Sequence, residues 1–128
     1  MSQRWAQRLA WLIGGLFLGY GLAFSFLPID MAMWATGDAP DSPSALIDFR
    51  ATYGGLCLAA GLVILLLARQ RQTLPQALQA SAIVLGAMAV TRTLGMMQDG
   101  PGNGLMTLYL VTEVLGAALA WWTYKQLK

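Results

Sequence analysis

Arg92 and Glu113 are the residues of this sequence best placed to do chemistry, because each interrupts a stretch that otherwise carries no charge. Charge at membrane depth is expensive, and it persists where it serves a site, a partner or a lock between helices. Arg92 lies about five residues before the end of its apolar stretch, roughly 8 Å down, and Glu113 about eight residues into the next, roughly 12 Å down. Arg50 stands beside Asp48 at the mouth of an earlier stretch. Helical spacing places Arg50, Tyr53, Gly54, Cys57 and Gly61 on one face, and Tyr109, Thr112, Glu113 and Gly116 on another. Arg92 shares its face with Ser81, Leu85 and Met88. A buried carboxylate needs a cation partner, for which Arg92 is best positioned and Arg50 second. The expected ligand-binding pocket is therefore lined by Asp48, Arg50, Tyr53, Arg92, Tyr109, Thr112 and Glu113 and opens toward the outer side of a membrane.

What the composition excludes narrows the chemistry. There is one cysteine, Cys57, and no histidine. Histidine acid–base catalysis is absent, and a single thiol makes neither an internal disulfide nor a redox pair. Met88, Met96 and Met97 could suggest copper, but methionine is also a routine filler of irregular interiors. No metal, cofactor or catalytic residue is expected. Net charge is +2, which gives no reason to expect a nucleic-acid partner. Hydrophobic residues make up 57% of the chain and charged ones 11%, where soluble domains carry about a quarter charged. Lipid must cover part of this surface.

The elements that position the charged residues follow from the uncharged runs. Four spans are expected, over about 9–27, 51–68, 74–97 and 105–124, each long enough for the ~30 Å hydrocarbon layer. Pro28 ends the first, Pro75 opens the third, and Gly100, Pro101, Gly102, Asn103 and Gly104 break the chain before the fourth. The fold class is all-α, a transmembrane four-helix bundle in one domain over 1–128. Glycine stripes along the first two spans should let helices approach closely in lipid, and Gly15 and Gly19 are assigned to internal packing rather than dimerisation. Met31, Met33 and Trp34 should form a short helix at the membrane surface.

Orientation comes from charge. Arg4, Arg8, Arg69, Arg71, Lys125 and Lys128 flank the spans on one side, and Asp30, Asp38, Asp41, Asp48 and Asp99 lie in the connections on the other. The positive-inside rule puts both termini in the cytoplasm. Arg4 and Arg8 ahead of an apolar run could also announce a cleaved leader, but that run is longer than the usual leader core, so a retained span is expected.

Asp48-Phe49-Arg50-Ala51-Thr52-Tyr53-Gly54-Gly55, Thr91-Arg92-Thr93-Leu94-Gly95 and Tyr109-Leu110-Val111-Thr112-Glu113-Val114-Leu115-Gly116 together resemble the bacterial membrane family catalogued as domain of unknown function 4345, similar in general shape to the DoxX-like four-helix membrane proteins. The resemblance implies a bacterial inner membrane, polar family positions at Arg50, Tyr53, Arg92 and Glu113, and no assigned substrate. The expected function is non-enzymatic: binding of a membrane lipid, a small amphipathic ligand or another membrane protein's helix in the outer-facing pocket. The alternatives are an accessory subunit whose Arg–Glu cluster only stabilises the helices, and a small dimeric transporter, with homo-oligomers left open.

Overall fold

A computed structural model describes residues 3–127. Lys128, one of the charges used for orientation, lies outside the described residues. Helix α1 (Gln3–Phe26) is followed at once by α2 (Pro28–Thr36), the short helix expected around Met31 and Trp34. Pro28 sits in the first turn of α2, where its missing N–H is not needed. Gly37, at φ +84°, closes α2 by donating its N–H to the Met33 carbonyl, a left-handed conformation that suits glycine. A second rod follows: α3 (Pro43–Phe49), a π-helical turn (Arg50–Gly55) and α4 (Leu56–Ala68), continuous from Pro43 to Ala68. Ser42 caps its start by accepting from the Ala45 N–H at 3.1 Å. After a tight connection come α5 (Leu74–Asp99) and α6 (Gly104–Gln126). Gly100, at φ +99°, ends α5, and Asn103 caps α6 through the Leu105 and Met106 N–H groups.

The chain is all-helical, and α1, the α3–α4 rod, α5 and α6 are long and apolar enough to cross a membrane. Each helix extends past the span read from the sequence, most of all the second rod, which begins eight residues before the expected 51. The residues added to α1, α5 and α6 are mostly polar or charged, whereas those added to the second rod mix Ala45, Leu46, Ile47 and Phe49 with Asp48 and Arg50, whose charges interrupt the apolar run.

Packing is pairwise. α1 lies along α4 and α5 along α6, while α1 and α6 touch only sparingly. Glycine explains the first pair. A Cβ added at Gly21 would stand 2.5 Å from the Leu58 backbone nitrogen, and one at Gly61 would stand 2.7 Å from the Gly14 carbonyl oxygen. Backbones this close gain the dispersion contacts that hold helices together where no hydrophobic effect acts. Gly15 and Gly19 do not take part. Open space surrounds both, which overturns their assignment to internal packing. Their spacing was right for a contact stripe, but the face that meets α4 is the adjacent one, carrying Gly14 and Gly21.

The tight core sits at the end bearing Arg4, Arg8, Arg69 and Lys125, here the basic end. Ala6, Ala10, Ala68, Ala77 and Ala120 are fully buried there with Leu78, and Gln7 donates to the Ala68 carbonyl at 3.0 Å. Small side chains draw the helices together at this end. Toward the acidic end larger residues separate α1 from α6.

Candidate functional site

Between α1 and α6 lies a groove of about 420 Å³. Its walls are Leu9, Leu12, Ile13, Leu16, Phe17 and Tyr20 from α1, and Tyr109, Thr112, Glu113, Gly116 and Leu119 from α6. Leu85, Met88 and Arg92 of α5 and Cys57 of α4 complete it. Leu12, Leu16 and Leu119 are exposed, so the groove opens sideways through an apolar mouth. Its polar groups gather toward the acidic end.

At that end Arg92 and Glu113 form a two-point fork. Arg92 Nε donates to Glu113 Oε2 at 2.9 Å, and Nη2 donates to Oε1 at 2.6 Å. Arg92 Nη1 donates to the Met106 sulfur at 3.4 Å, and the guanidinium carbon lies 5.0 Å from the Tyr109 ring centre. A planar guanidinium matches a carboxylate in this way, and an aromatic face above it adds a cation–π attraction. Glu113 is 5% exposed, and the pair is the one ion pair within 4 Å among the described residues. The fork forms because the α5–α6 connection is short and both residues sit at similar depth from it.

Around the fork stands an aromatic wall. Tyr109 meets Tyr20 edge-on at 6.3 Å and Trp34 of α2 at 6.2 Å. Asn103 Nδ2 donates to the Ala35 carbonyl at 3.1 Å, which ties α2 to the start of α6 and holds Trp34 over the site. Tyr109 Oη is buried without a well-formed hydrogen bond, and the Tyr20 hydroxyl is its polar neighbour in the groove. Thr112 has no proton to offer a ligand, since its hydroxyl donates to the Leu108 and Tyr109 carbonyls.

The structure thus gathers Arg92, Tyr109, Thr112 and Glu113 of the expected pocket. It places Asp48, Arg50 and Tyr53 elsewhere. Arg50 is exposed and its Nε donates to the Ser25 carbonyl at 3.2 Å, so it is no second partner for Glu113. Asp48 accepts from the Thr52 hydroxyl at 3.4 Å. Tyr53 is 46% exposed and clusters with Phe24 and Phe49, with ring centres 5.1 and 5.0 Å away. The π-helical turn explains the separation. A π turn takes up one residue more than α-helical spacing assumes, so Arg50 and Tyr53 fall out of phase with Cys57, which does reach the groove. Tyr20 and Met106 were not foreseen. Tyr20 follows Leu9, Ile13 and Phe17 at helical spacing and could have been found on that stripe. Met106 carried no polar signal. Among the described residues, no three His, Cys, Asp or Glu side chains gather as a metal-holding group.

Fold and groove together define a small multi-pass helical membrane protein. Residues 5–124 match the family described as Domain of unknown function (DUF4345), and the chain belongs to it. No curated protein and no solved structure matches the chain.

Proposed function

We propose that the chain is a non-enzymatic membrane protein that holds a lipid or another small amphipathic molecule in the α1–α6 groove. The observation that carries the reading is the groove's polarity: aliphatic along its length, with Tyr109, Arg92 and Glu113 at one end. Its volume lies within the roughly 300–1,000 Å³ of small-molecule sites. From Leu9 to Tyr20 the α1 wall rises roughly 16 Å, about one leaflet of a ~30 Å hydrocarbon layer. Tails enter through the Leu12–Leu16 side while the polar end stays toward the acidic connections. Lys and Arg bias supports an orientation with both termini cytoplasmic in a bacterial inner membrane.

Leu16 tests this reading, because it is 65% exposed at the mouth and its replacement leaves the core intact. Native mass spectrometry from mild detergent should show a lipid adduct on the wild type and its loss from Leu16→Trp, with an unchanged melting temperature. A bare wild type, or a variant that keeps the same adduct, would sink the proposal. A second reading, in which the pair only locks α5 to α6, is favoured by the closed geometry of the fork. It predicts no adduct in either protein.

A further inference from the structure

We infer that the groove's occupant is an uncharged single-chain amphipath whose head accepts a hydrogen bond from Tyr109, such as a long-chain ester, ketone or glyceride. The inference rests on the groove being a binding site and specifies its ligand.

Charge is the first argument. Arg92 and Glu113 are the charged side chains lining the groove, and they neutralise one another. All three guanidinium nitrogens are directed to protein atoms: Nε and Nη2 to Glu113, and Nη1 to the Met106 sulfur. An anionic head near Arg92 would also face the Glu113 carboxylate, and a cationic head would face the guanidinium. Either must break the fork or go uncompensated. Depth compounds the penalty. Arg92 is seven residues from the Asp99 end of α5, about 10 Å, and Glu113 nine from the Gly104 end of α6, about 13 Å. A phosphate or ammonium drawn to that level would shed its water without a countercharge to replace it.

Hydrogen bonding is the second argument. The buried Tyr109 hydroxyl faces that of Tyr20 in the groove; two phenols carry two O–H donors and at most one bond can run between them, so one donor is left over. The Thr112 proton is taken up by backbone carbonyls, and a carbonyl or hydroxyl oxygen on the ligand is the acceptor that the leftover phenol O–H lacks. Size is the third. Leu9 and Ile13 belong both to the groove's wall and to the packed core, and a volume of about 420 Å³ suits one long aliphatic chain rather than two.

The test titrates delipidated protein in detergent with four probes, read by native mass spectrometry: monooleoylglycerol, oleate, oleoyl lysophosphatidylcholine and dioleoylglycerol. Monooleoylglycerol should bind at least tenfold more tightly than each of the other three. Tyr109→Phe should weaken it about fivefold at an unchanged melting temperature, while the other probes stay as they were. Equal binding of a charged, zwitterionic or two-chain probe overturns the inference and leaves the binding reading standing. So does an unaltered affinity in Tyr109→Phe. Failure of all four probes, with no native adduct, overturns both.

Discussion

Replacing Arg92 by leucine should destabilise the protein by about 2–5 kcal/mol, and replacing Glu113 as well should recover most of the loss. The lower figure follows from the three N–H···O contacts of the fork, at the ~0.6 kcal/mol that interhelical hydrogen bonds average in lipid. The upper figure reflects a buried charge stranded without its partner, about 3–5 kcal/mol. Glu113 is the worse residue to strand, since its side chain is 6% exposed and short, whereas the 20%-exposed Arg92 can stretch toward the acidic end. Arg92→Leu should therefore lose more than Glu113→Leu. In the double leucine variant no charge remains to desolvate, and stability should return to within ~1 kcal/mol of wild type. Reversible unfolding from mild detergent into dodecyl sulfate, followed by far-ultraviolet circular dichroism, gives the four free energies of a double-mutant cycle. Losses that simply add would show the two side chains to be energetically independent and refute the reasoning.

Two further expectations use the helix contacts and the charge pattern. Gly21→Ala should destabilise by about 1–3 kcal/mol in the same assay, since its methyl meets the Leu58 and Gly54 backbones, whereas Gly15→Ala, in open space, should be neutral or mildly stabilising. For topology, a membrane-impermeant maleimide applied to intact spheroplasts should label Asp41→Cys and spare Gln70→Cys, both in a Cys57→Ser background. The opposite pattern would reverse the proposed orientation.

Much of the architecture was legible because lipid imposes a simple rule: runs without charge become helices, and proline, glycine and asparagine mark where they stop. The 92–113 pairing was legible for the same reason, since two opposite charges at similar depth on consecutive helices have few other places to go. Face assignment failed where the rule has no content. Spacing identified both the Gly14–Gly21 stripe, which does meet the second rod, and the neighbouring Gly15–Gly19 stripe, but could not tell which of the two makes the contact. It misaligned Arg50 and Tyr53 because periodicity assumes 3.6 residues per turn, and the helix between Arg50 and Gly55 does not keep it. Tyr20 went unnoticed because an aromatic in an apolar run looks like any other filler until a partner such as Tyr109 is seen beside it.

For the guest proposed above, the sideways mouth at Leu12 and Leu16 changes what affinity means. A guest arriving through it never crosses water, and its competitor is every neighbouring acyl chain. Occupancy then tracks abundance within the bilayer rather than in bulk solution. A guest making up about one molecule in a hundred must be preferred roughly a hundredfold, near 2.8 kcal/mol, to fill half the sites. A few well-placed contacts at the polar end suffice for that. Dilution of the surrounding bilayer with inert lipid should progressively empty the groove.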